Sequence, residues 1–398
     1  MQKILWVIII TLFSQYPIYA KEFIFGDFKT DIFGTLYVDG FYTYSSENFE
    51  PMYSSMKIEN GRHSFGSYAF AGSSKFGITL AYRNISGTIE AGISDPVRKF
   101  YLKYNIGGSA NHYLLAGKDN NIAYYNFGQM SNDNQALIDY GTVSNMRRLQ
   151  IRYGINGFEI AVIFPYIGFG ASNDMAYKGY YINDNIENTF IKHSDYMFKY
   201  IPRLEFAYTV IKNNFNIKFF GSYGIYMYEN TVLTDEMDKF NSTAHVFNAG
   251  FGGQADFGNN FINYTFYIGQ NMYLNDSNGV CFGNNSFLNP VFLKKNDSNL
   301  YNIDIKNILN TGVAFGYGYK AFNGKMVIQT GAGYSLNIAN HYKNSNRNLG
   351  AFFNTRYYIN DYFSLIPELA LLYNISGAEE KFNNGFSITA GIMAVLSF

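Results

Sequence analysis

Charged side chains in this chain recur at alternate positions. Lys75 shares its parity with Thr79 and Arg83, Lys99 with Lys103, Arg148 with Gln150 and Arg152, and Lys199 with Arg203 and Glu205. The opposite parity is apolar: Phe76, Ile78, Leu80 and Tyr82, then Phe100, Leu102 and Tyr104, then Leu149, Ile151 and Tyr153, then Phe198, Leu204 and Phe206. An extended backbone, whose successive side chains point to opposite faces, sorts residues in this way. The chemistry open to such a charged face is electrostatic: fixed charges that attract, orient or repel polar solutes.

Covalent chemistry finds no comparable constellation. Of the five histidines, His63, His193 and His341 fall in expected loops, His245 borders a strand and His112 sits in mid-wall. None stands in a Ser or Asp motif of the kind a nucleophile and its base require. Cys281 is alone, so no internal disulfide forms, and no Cys/His spacing suits zinc. Asp276-Ser277-Asn278-Gly279 lacks the spaced acidic ligands of a calcium loop, and Gly250, Gly252 and Gly253 are not spaced as a phosphate-binding fingerprint. The sequence therefore predicts no enzyme, cofactor or metal. With 30 basic and 30 acidic residues the formal charge is balanced, which argues against nucleic acid as a partner.

The N-terminus points to export. Lys3, an apolar run from Ile4 to Phe13, Pro17 and Ile18-Tyr19-Ala20 before Lys21 have the layout of a signal peptide over residues 1–20. That run is too short for a membrane helix, which needs about 20 apolar residues. Residues 21–398 then form one domain, with no linker or shift in composition. The chain holds 37 Tyr, 38 Phe and 38 Gly against 7 Pro, a mixture suited to many aromatic-rich strands. A mean hydropathy of −0.13 fits a membrane protein only if one face of each strand meets lipid.

About sixteen strands can be placed. They are 30–45, 75–83, 88–94, 99–106, 111–118, 148–155, 158–166, 196–211, 215–228, 246–257, 261–271, 311–320, 325–336, 349–359, 363–373 and 385–398. Short turns such as Asn84 to Gly87, Asn156-Gly157 and Asn213-Asn214 alternate with long segments. Every short turn falls at one end of the assembly and every long loop at the other. The fold class is all-β, a transmembrane antiparallel barrel with short periplasmic turns and long external loops. Closed barrels are the only sheets that satisfy all their backbone groups in lipid.

A basic residue facing lipid at mid-bilayer costs about 2–4 kcal/mol, so a charged face repeated over many strands must meet water. Inside a barrel of this size that water is a channel. On the inward parity stand twelve basic residues: Lys75, Arg83, Lys99, Lys103, Arg148, Arg152, Lys199, Arg203, Lys218, Lys320, Lys325 and Arg356. Seven acidic ones accompany them: Asp31, Asp39, Glu90, Glu159, Glu205, Asp256 and Glu368. The excess leans weakly towards anions. Tyr44, Tyr166, Tyr196 and Phe363, near strand ends, are expected in interfacial girdles.

The segment from Ser74 to Ile93, with Lys99-Phe100-Tyr101-Leu102 and Leu114 to Lys118, resembles the second to fifth strands of the general bacterial porins. The closing run Gly385 to Phe398, apolar on one parity and ending in an aromatic residue, resembles their last strand. The resemblance implies sixteen strands, a homotrimer in the bacterial outer membrane, lipid around the barrel, and passive diffusion of small hydrophilic solutes and ions through it. It also implies that the third long loop, 119–146, folds inward. Asp119, Asp133 and Asp139 of that loop would then oppose Arg83, Lys99, Lys103, Arg148 and Arg152 across a constriction. The loop lacks the family's Pro-Glu-Phe-Gly-Gly-like segment. Two other readings stay open. One is a substrate-specific porin of about eighteen strands, if 273–310 hides a further hairpin near 300–309. The other is a surface adhesin anchored by the barrel.

Overall fold

The computed structural model describes residues 21–46, 63–68, 74–93, 96–125, 140–143, 147–164, 196–200, 202–230, 241–272, 291–295, 301–305, 307–339, 345–375 and 385–398. Nineteen strand segments form one antiparallel sheet that closes on itself. They make sixteen wall strands, because two walls are each broken into two segments and one short segment, Lys21–Phe25, lies beside the first wall.

The walls are β1 (Phe28–Ser45), β2 (His63–Tyr68 with Lys75–Tyr82), β3 (Ile85–Gly92), β4 (Lys99–Asn105) and β5 (His112–Asn120). Next come β6 (Arg147–Ile155), β7 (Phe158–Ile163), β8 (Tyr196–Tyr200 with Arg203–Lys212), β9 (Phe215–Asn230) and β10 (Asn241–Phe257). The last are β11 (Asn260–Gln270), β12 (Ile308–Ala321), β13 (Met326–Ala339), β14 (Asn346–Tyr358), β15 (Phe363–Ile375) and β16 (Gly385–Ser397). Each pairs with the next, and β16 returns to β1 from Thr35↔Ser397 to Ser45↔Ser387.

A second hairpin, Val291–Lys295 with Tyr301–Ile305, does lie within 273–310. It pairs only with itself, as a separate two-stranded sheet. The wall therefore stays at sixteen strands and does not grow to eighteen.

Turn chemistry explains the tight end. Asn156 and Gly157 both take positive φ, 47° and 85°, the backbone that a two-residue turn needs to match the twist of its strands. The first hairpin differs from expectation: it turns at Arg83-Asn84, with Arg83 at φ 52°, not at Asn84 to Gly87. Residues 85–87 join β3, where Gly87 pairs with Leu80. His112 also departs from mid-wall. It begins β5 on the outer face and bonds the Tyr153 hydroxyl at 2.9 Å.

The two faces separate as the alternation requires. Leu149 and Ile151 are about half exposed on the outside, while Arg148, Gln150 and Arg152 between them are buried inside. Phe76, Leu80, Phe100, Leu102, Leu204, Phe206, Phe353 and Leu369 continue the outer apolar surface. Strands of 13 or 14 residues reach about 45 Å at roughly 3.3 Å per residue. Tilted by about 40°, they cross an apolar band about 25 Å tall.

Candidate functional site

The third loop leaves β5 and enters the barrel. Just past Asn120 the main chain turns towards β8, where the Glu205 Oε2 oxygen accepts hydrogen bonds from the N–H groups of Ile122 at 2.7 Å and Ala123 at 3.0 Å. The other oxygen, Oε1, accepts from Arg203 Nε at 3.0 Å and Nη2 at 2.6 Å. Glu205 is 1% exposed, and these four donors replace the water its oxygens have lost.

The next residues lie on the inner wall. Asn248 on β10 donates from Nδ2 to the Ala123 carbonyl at 3.2 Å and accepts from the Ser222 hydroxyl at 2.6 Å. The Tyr125 ring lies on Gly252, where a Cβ would collide with it, and Gly333 on β13 leaves the equivalent room for the Tyr140 carbonyl. Burial, reinforced by the nearby Tyr264 phenol, pushes the Tyr125 hydroxyl up to about 12, so it stays neutral. Ile122 and Val143 pack with Ala161, Ile163, Ala207, Phe220, Tyr267 and Met272. Tyr140 packs with Ala314, Phe352, Ala370 and Leu372. Both described ends of the loop, 121–125 and 140–143, thus lie against the inside of the barrel.

The inner wall is divided. On β3 to β6, Glu90 pairs in register with Lys99, and Asp119 with Arg148. Lys99 Nζ lies 3.2 Å from Asp119 Oδ1, Arg152 Nη2 lies 3.3 Å from Asp119 Oδ2, and Arg152 Nη1 lies 3.5 Å from Glu159. Arg152 also donates to Gln150 Oε1 at 3.1 and 2.9 Å and to the Asn120 carbonyl, while Tyr113 donates to Glu159. Glu90 binds Arg98 at 3.0 Å and Lys75 at 3.7 Å. The row of cross-strand partners that carries Arg152 and Glu205 continues from β9 onward as neutral residues: Ser222, Asn248, Gly269, Asn310, Asn337 and Asn346. Asn310 donates to Asn337 at 2.7 Å, and on the neighbouring row Asn348 donates to Ser335 at 3.2 Å.

The expected site residues fare unequally. Lys99, Lys103, Asp119, Arg148 and Arg152 share one stretch of inner wall, β4 to β6. Asp119 is a correction: it lies within β5, one residue before its end, between the cations and not opposite them. Arg83 is another. It sits in the turn, exposed, and binds Asp27 at 3.0 Å, because the hairpin closes two residues earlier than expected. Asp133 and Asp139 lie outside the described residues.

Sequence reasoning placed Glu205 and Lys218 on the inward parity but gave neither a role. Their roles depend on the path of the loop, which no local pattern encodes. Lys218 Nζ lies 4.6 Å from the Tyr124 ring and Lys103 Nζ 4.1 Å from the Tyr113 ring. Among the described residues neither lysine forms an ion pair.

Solved structures share this architecture. The outer-membrane channel DcaP of Acinetobacter baumannii matches with a TM-score of 0.63 at 15% identity, over 96% of this chain and 100% of that one. The fold is that of the outer-membrane porins. An anion-selective porin from Comamonas acidovorans matches at 0.50 and 11%, over 93% and 100% of the two chains. OmpT of Vibrio cholerae, folded in vitro and described as a trimer form, matches at 0.53 and 13%, over 93% and 99%. No family model matches the chain, and no curated protein matches it. The chain is a closed sixteen-strand antiparallel β-barrel with the outer-membrane porin fold.

Proposed function

We propose that this chain forms a water-filled diffusion channel for small hydrophilic solutes, with anions favoured over cations. In this reading residues 1–20 direct export, three copies assemble in the outer membrane, and the third loop narrows the passage. The observation that carries the anion preference is the imbalance beside that loop. Lys99, Arg152 and Arg203 are tied to carboxylates, whereas Lys103 and Lys218 rest on tyrosine faces. A cation not held in a close ion pair attracts mobile anions into a narrow, low-dielectric passage. The anion-selective title of the Comamonas porin and the trimer form of the Vibrio protein are consistent with the reading.

The test is single-channel recording in a planar bilayer under a salt gradient. Stepwise conductance with a reversal potential on the anion side is expected, and Lys218→Ala should move that potential towards cations. A silent bilayer would remove the channel and leave the barrel as an anchor for its loops. Conductance that Lys218→Ala leaves unshifted would remove the assigned origin of the preference.

A further inference from the structure

We propose that Glu205 is the positioning residue that fixes the start of the third loop, at Ile122 and Ala123, on the inner wall and so controls the width of the passage, an inference that rests on the channel reading for its conductance consequence. The carboxylate is bifunctional. Oε2 takes the two successive N–H groups of Ile122 and Ala123, and Oε1 takes the two guanidinium donors of Arg203. Successive main-chain N–H groups converging on one oxygen fix the direction of the chain at that point, which packing alone does not do.

Beside this clasp the loop makes further contacts with the wall. Tyr125 and Tyr140 occupy space left by Gly252 and Gly333, and Asn248 contributes a neutral hydrogen bond. Arg203 has a second part in the device. Its two donors hold Oε1 and so aim the carboxylate at the loop, and the acceptor is already in place when the loop docks. Without Glu205, the N–H groups of Ile122 and Ala123 would face an apolar wall of Ala161, Ala207 and Phe220. Buried donors left without an acceptor favour a conformation in which water reaches them.

The experiment places a reporter cysteine at Ala123, which is 1% exposed, in a chain whose own Cys281 is replaced by Ser. It compares the rate of modification by a water-soluble thiol reagent with and without Glu205→Ala, and records bilayer conductance of the same proteins. Labelling should accelerate about tenfold or more, the factor expected when a charge-assisted bond to a buried group is lost, and open-channel current should rise.

Asp256→Asn, which breaks the pair with Lys320 at 3.3 Å near the short turn that ends β10, should leave labelling unchanged. Glu205→Gln keeps the volume and one oxygen acceptor but turns an amide N–H towards Arg203, so it should give a smaller acceleration; it carries the test if the Ala variant does not assemble. Wild-type labelling rates in both Glu205 variants would overturn the proposal. Accelerated labelling in a protein that shows no current would keep the clasp and overturn the channel.

Discussion

The carboxylate of Asp119 lies between two cations of its own wall, Lys99 at 3.2 Å and Arg152 at 3.3 Å. Its side chain is 11% exposed and that of Arg152 10%, so the pair is largely removed from water. Breaking a buried pair by removing one partner costs about 3–5 kcal/mol, because the remaining charge is left uncompensated. Asp119→Asn should therefore lower the temperature at which the barrel unfolds in heated detergent samples. It should also move the reversal potential further towards anions, since Lys99 and Arg152 lose their counter-charge. An unchanged melting temperature and potential would show that the three groups do not act together. Alternation revealed that Lys99, Lys103, Arg148 and Arg152 face inward, but not their partners. Partner choice depends on the stagger between strands and on where a hairpin turns. At Arg83 a shift of two residues moves the side chain from the wall to the rim, where it meets Asp27.

At the scale of elements, the strands were legible because lipid demands an apolar residue at every second position and imposes that demand on all sixteen walls. Breaks within a wall were not legible. His63–Tyr68 continues the lane of Lys75–Tyr82 beside β1, although residues 46–74 read as one long connection. The loop's path was legible only through resemblance, since the groups that receive it are scattered over β8, β10 and β13. The hairpin Val291–Lys295 and Tyr301–Ile305 gives a direct test of element independence. Its five residue pairs lie outside the barrel sheet. Replacing 291–305 with a short Gly/Ser linker should leave strand content by circular dichroism, and the heat-dependent shift on gels, as in the parent. Loss of either would mean that the hairpin helps to hold the wall.

Across the whole molecule, the outer surface has the opposite polarity rule to a soluble protein. Ile151, at the centre of β6, is 52% exposed, while its neighbours Gln150 and Arg152 are buried inside. Ile151→Arg should destabilise the barrel by about 2–4 kcal/mol, the cost of a cation facing hydrocarbon at mid-depth. Urea titration in lipid vesicles measures this, and a cost near zero would place that face in water.

The closure of β16 on β1 carries a further consequence for how such a chain comes to be folded. The Thr43 and Thr389 hydroxyls meet at 2.9 Å across 346 residues of sequence. Contacts between such remote segments form late and slowly, because the intervening chain must first be gathered. Until they form, β1 and β16 would each present a row of unanswered amides and carbonyls to a solvent that cannot bond them. A half-built cylinder is thus no resting state in oil, and synthesis must run almost to its finish before insertion becomes downhill.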